Sequence, residues 1–96
     1  MKVVPPAQKL LMKNRRVRVW EMTLEPGGVY PFHWHRYPYL SIVLGAARIV
    51  MTDRKGQKER LRDHRGDVVW RVPADDHSVR NLGRTRFRNR LVELLA

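Results

Sequence analysis

Two histidines stand two residues apart, in His33-Trp34-His35, and a third follows at His77. In an extended segment, residues i and i+2 face the same side, about 6.5–7 Å apart along the chain. Two imidazoles so placed can converge on one ion at about 2.0–2.2 Å from each nitrogen. His77 could complete such a site only if the fold brings the two segments together. Solvent-facing or hydrogen-bonded imidazoles would show the same spacing, so the spacing alone does not decide. The fourth histidine, His64, sits in the turn-like Asp63-His64-Arg65-Gly66-Asp67 and is expected to face solvent. The chain has no cysteine, which excludes a disulfide scaffold, a thiol nucleophile and a thiolate-held zinc. Any metal must be held by imidazole, carboxylate or phenolate.

The elements that would position these residues read as short strands separated by turn residues. Arg16 to Leu24 alternates and stops at Glu25-Pro26-Gly27-Gly28. Val29 to His35 is extended, with Pro31 predicting a sheet edge or a bulge because it cannot donate to a ladder. Tyr39 to Leu44 and Ala46 to Thr52 follow, and Asp53-Arg54-Lys55-Gly56 has hairpin-turn chemistry. Gln57 to Arg62 could return as a strand or form a short helix. After it, Val68 to Val72, His77 to Asn81 and Thr85 to Leu95 complete the set, with Pro73 to Asp76 read as a turn. This pattern argues for an all-β barrel or sandwich in a single domain of 96 residues.

Gly27, then five residues, His33-x-His35 and a later Gly45 resemble the first motif of the cupin superfamily. Gly66-Asp67-Val68-Val69-Trp70-Arg71-Val72-Pro73, followed by His77 and Asn81, resembles the second. The match is to small single-domain members of the conserved-barrel (cupin 2) type, some of them labelled β-alanine degradation proteins. The resemblance implies a double-stranded β-helix (RmlC-like jelly roll) of two antiparallel sheets. It also implies that His33, His35 and His77 hold a divalent transition metal: Zn, Fe, Ni, Cu or Mn. Gly27, Gly45 and Gly66 would sit where turns demand a permissive φ. Two positions depart from the pattern. The family's carboxylate ligand, three or four residues after the second histidine, is replaced by Tyr39 and Leu40. The loop Pro73-Ala74-Asp75-Asp76-His77 is one residue short and lacks its glycine.

Three neutral imidazoles leave a divalent charge uncompensated, which favours an anionic exogenous ligand. Tyr39 could be a phenolate, a hydrogen-bonding group or a packed ring. Glu93, Asp75 and Asp76 are candidate replacements for the missing acid, and Tyr39 and Glu93 are the candidate catalytic bases. A pocket in which the histidines act only as hydrogen-bonding groups, with no metal, remains open at this level. The expected function is therefore a metal-binding cupin taking a small anionic molecule, as an oxygenase or isomerase. A non-catalytic metal or ligand sensor is the alternative.

The formal net charge is +11, and Arg84, Arg86, Arg88 and Arg90 alternate with Thr85, Phe87, Asn89 and Leu91. In a strand this is an arginine comb on one face. A solvated outer face is the first reading and an anion or nucleic-acid strip the sharper one. No RNP, helix-turn-helix or zinc-finger pattern accompanies it. Residues 1–14 are expected to have little structure of their own and to suit exchange within a homodimer, with Trp34, opposite in phase to its flanking histidines, as a candidate contact. Val3-Val4-Pro5-Pro6 interrupts any signal-like run, and no stretch approaches about 18 apolar residues. A cytoplasmic protein with no membrane partner is expected.

Overall fold

A computed structural model of the chain describes residues 4–45 and 47–95, apart from the side chains of Ala47, Ala74 and Asp75. Met1 to Val3 of the expected arm, Ala46 at the expected start of a strand, the Asp75 side chain and Ala96 lie outside the described residues. Two antiparallel sheets face each other. The first has the order β1 (Lys9–Lys13), β2 (Val17–Leu24), β9 (Phe87–Leu94), β4 (Tyr39–Gly45), β7 (Val68–Arg71). The second has the order β3 (Val29–His35), β8 (Ala74–Asn81), β5 (Ala47–Asp53), β6 (Lys58–Asp63). Among the described residues there is no helix, so the ambiguous 57–62 segment resolves as a strand. Pairing with β5, from Thr52↔Lys58 to Ala47↔Asp63, decides it, since the hairpin at Asp53 fixes the register.

Alternation builds the interior. On β9, Phe87, Asn89, Leu91 and Glu93 are buried, while Arg88 and Arg90 face outward. Cross-strand register extends these positions into rows across the first sheet. Leu24 and Phe87 form an apolar row at one end. Met22, Asn89 and Val43 come next, followed by Trp20, Leu91, Ser41 and Val69. The last row is Arg18, Glu93, Tyr39 and Arg71. The barrel thus grades from hydrocarbon at one end to polar groups at the other. Buried Ile49, Val79 and Tyr30 of the second sheet close the apolar part.

Asn81 secures the apolar end. Fully buried, it donates from Nδ2 to the carbonyls of Leu24 and Thr85 and accepts from the Gly83 N–H through Oδ1. Its backbone also exchanges hydrogen bonds with the Gly27–Gly28 turn. Gly27 and Gly66 adopt φ of 80° and 91°, as a turn glycine should. Gly45 differs from its expected role: it stands at the end of β4, where a Cβ would lie 2.9 Å from the Arg86 carbonyl oxygen. Close backbone approach, and not φ, is what requires glycine there.

Other differences come from pairing. The strand expected from His77 begins at Ala74, because β3 extends far enough to pair His35 with Ala74. β3 is a sheet edge with register shifts between Tyr30 and His33 and between His33 and His35, as Pro31 predicts. Residues 4–14 of the expected arm are more structured than expected. Lys9–Lys13 pairs with β2 of its own chain, Ala7 is fully buried and the Tyr30 hydroxyl donates to the Pro5 carbonyl at 2.7 Å. The arginine comb meets acids on the same outer face, with Arg88 and Arg90 on Glu21 and Arg86 on Glu25. Replacing Asn81 with Ala strands the Leu24 carbonyl and removes the Asn81 contacts to the Thr85 carbonyl and the Gly83 N–H, and should cost about 2–3 kcal/mol in urea-unfolding free energy. A loss under about 1 kcal/mol would contradict this role.

Candidate metal centre

The histidines meet because β3 and β8 are neighbours. His33 is directly opposite His77 in register, and His35 shares the His33 face. The ring centroids are 4.6 Å apart for His33–His77, 4.9 Å for His33–His35 and 5.2 Å for His35–His77. One nitrogen from each ring lies within 4.8 Å of the others. Tetrahedral bonds of about 2.0–2.1 Å would place nitrogens about 3.4 Å apart. Small side-chain rotations separate the two arrangements.

Burial sets the protonation state. His35 is pushed down to about 3 by burial, with the charges of His33, His77 and Arg71 adding to it. His77 is lowered to about 4, again by burial first and then by His33 and Arg71. His33 is lowered by burial against a partial opposing effect of the Pro31 carbonyl and Asp76. All three rings are therefore neutral at pH 7, the state a metal ligand needs. His33 Nδ1 lies 2.9 Å from the Pro31 carbonyl. That contact makes Nδ1 the protonated nitrogen and leaves Nε2 as a lone-pair donor. His35 Nδ1 is buried with no hydrogen-bond partner. An orphaned nitrogen beside two convergent imidazoles fits a cation. The three rings line an inner cavity of about 30 Å³ that continues into the barrel toward Met22 and Leu91.

Tyr39 stacks on His35 with centroids 4.1 Å apart and planes 21° apart. Burial pushes its phenol up to about 12, so it is a neutral packed ring. Glu93 is buried but stands elsewhere. It accepts from Trp20 Nε1 at 2.6 Å, lies 3.8 Å from Arg18 Nε and lines neither cavity that contains the histidines. Asp76 is held by Arg54 at 2.6 Å and does not join the cluster. His64 faces solvent beside Asp67. Trp34 is half exposed under the Arg36 guanidinium, away from the histidines.

Two inward residues escaped the sequence reading. Asp63 ends β6 and lines the histidine cavity; burial and the nearby Asp67 charge raise it from its ordinary value, against the opposing charges of Arg71 and His64. Leu61, two residues earlier on the same face, was the available signal. Arg71 lies opposite Tyr39 and lines both the inner cavity and a wider mouth of about 630 Å³. Valines on both faces of β7 hid its phase.

No family model matches the chain, and no curated protein matches it. Solved structures do. The chain is similar to a cupin domain from Bordetella pertussis Tohama I, with TM-score 0.84 and 25% identity over 100% of this chain and 99% of that one. An RmlC-like cupin from Methanocaldococcus jannaschii gives 0.72 and 14%, over 90% and 76%. The polyketide cyclase RemF from Streptomyces resistomycificus gives 0.61 and 20%, over 86% and 57%. The fold is the RmlC-like double-stranded β-helix. The chain thus has the cupin fold, with three clustered histidines that could hold a metal ion.

The depressed histidines make a pH prediction for metal-free protein. Unfolded imidazoles titrate near 6.5, above their folded values. The unfolded chain therefore binds more protons below that pH, and stability falls as pH drops toward about 4 and about 3. Urea midpoints should decline from pH 7 to pH 5, and His35→Phe should flatten the decline. A flat wild-type profile would contradict neutral burial.

Proposed function

We propose that this cupin binds one divalent transition metal through His33, His35 and His77 and admits a small anionic organic molecule to the open coordination positions. The carrying observation is the cluster of three neutral imidazoles, two buried and one half-buried, together with a buried His35 Nδ1 that has no hydrogen-bond partner. An all-nitrogen set of this kind suits Zn, Fe, Ni or Cu, and Mn is admitted by the fold. Bound there, the ion would supply Lewis acidity or redox chemistry at its free positions. Tyr39 holds His35 in place by stacking, and the Pro31 carbonyl fixes the His33 tautomer.

An oxygenase or isomerase is the favoured activity over a passive sensor, and Asp63 is the reason. A carboxyl group in the same cavity, raised by burial, can exchange a proton nearer neutral pH than an exposed acid. The fold leaves the reaction open, since one scaffold hosts many chemistries. A homodimer belongs to the same proposal. Edge strand β1 presents Leu10, Leu11 and Met12 to solvent, and such edges are commonly covered by a second chain. Light scattering should give a mass near twice 11.4 kDa, and a monomeric mass would remove this part.

Protein purified without a histidine tag should carry about one equivalent of transition metal per chain by elemental analysis. His33→Ala and His77→Ala should fall to background while keeping the β-sheet circular dichroism of the wild type. Wild-type metal content in His33→Ala would overturn the reading.

A further inference from the structure

Arg71 and Glu59 meet at 3.1 Å, between one guanidinium nitrogen and one carboxylate oxygen. Their strands give the contact its meaning. β7 is the last strand of one sheet and β6 the last of the other, so the pair clasps the open side of the sandwich. Directly behind it lie His35, Tyr39 and His77. Arg71 is 28% exposed and Glu59 55%, so water screens the pair and holds it weakly. A single-point contact also leaves most of the planar guanidinium fork for a bidentate partner.

We propose that the Arg71–Glu59 pair is an exchangeable clasp: a small monocarboxylic acid entering the mouth displaces Glu59 and is held by Arg71. The inference rests on the metal-and-anion reading above and names its ligand class. Among the described residues, Arg71 is the only Lys or Arg that lines both the inner cavity and the mouth. The volume of about 630 Å³ suits a small organic acid. Met51, Tyr39 and Val72 offer apolar wall for its hydrocarbon part. Local charge argues for one carboxylate. With Arg71 engaged, the rim keeps displaced Glu59 and Asp53 against the single cation Lys58, a net negative balance that disfavours a second ligand carboxylate. Asp53 itself is committed to its turn, accepting from the Lys55 and Gln57 N–H groups.

Calorimetric titration of full-length protein with benzoate tests this, with benzyl alcohol as the uncharged control, in cobalt-loaded and metal-free samples. Benzoate should bind the wild type saturably and benzyl alcohol far more weakly. Arg71→Gln should weaken benzoate by about tenfold or more, the loss expected when a charge-assisted bidentate contact is removed. Glu59→Gln should tighten it, since the competitor is gone, and the double variant should match Arg71→Gln. The opposite signs separate a clasp from a general loss of folding. Benzoate binding that is absent from the wild type in both metal states overturns the clasp, as does wild-type affinity in Arg71→Gln. Cobalt content of the same samples judges the metal reading independently. Arg71-dependent binding without cobalt uptake would keep the clasp and sink the metal site.

Discussion

Three imidazoles can share one buried end of a β-sandwich only if none of them is charged. The arrangement of the rest of the molecule follows from that constraint. His33 and His35 are buried and His77 is half-buried, and a charge on one ring would raise the cost of protonating its neighbours. The neutral cluster is therefore a set of lone pairs held at short range with few hydrogen bonds to spend them on. His33 spends one nitrogen on the Pro31 carbonyl, and His35 leaves one unspent. Such a cluster is a costly way to fill a core and a suitable way to receive a cation.

The sandwich tolerates this because its interior is graded. The end closed by Leu24, Phe87 and the Asn81 hydrogen bonds is packed and saturated, and supplies the folding free energy. The opposite end carries Arg18, Glu93, Tyr39 and Arg71 in one row. Within that row, Glu93 accepts a hydrogen bond from Trp20 and pairs with Arg18 on one side, while Arg71 turns to the mouth on the other. Tyr39 separates them in the sheet and stacks on His35. This position therefore carries a neutral ring and no carboxylate. A divalent ion held there, as proposed, would leave its charge for an incoming anion to balance.

Much of the fold was legible because a period-two pattern between glycine turns has one main interpretation. The β2, β3, β4 and β9 segments, the Asp53 hairpin and the edge marked by Pro31 all follow from local chemistry. The histidine triad was legible in part, through His33-x-His35, but His77 could be joined to it only through the motif resemblance. Long-range register was not readable. Arg71 and Asp63 face inward because their strands pair in a particular phase, and β7 carries valines on both sides. Glu93 was readable as inward only with the phase of β9, and its partner Trp20 lies 73 residues away. The arginine comb looked like a ligand strip in one dimension. In three, most of it faces the acids of β2 and the turn after it.

The central claim is that the three-histidine cluster holds a metal. A crystal of tag-free protein grown with cobalt, measured on both sides of the cobalt absorption edge, tests it most directly. The account predicts one anomalous peak at about 2.0–2.2 Å from a nitrogen of each of His33, His35 and His77. An empty cluster, or a peak bound only by surface carboxylates or by His64, would contradict it.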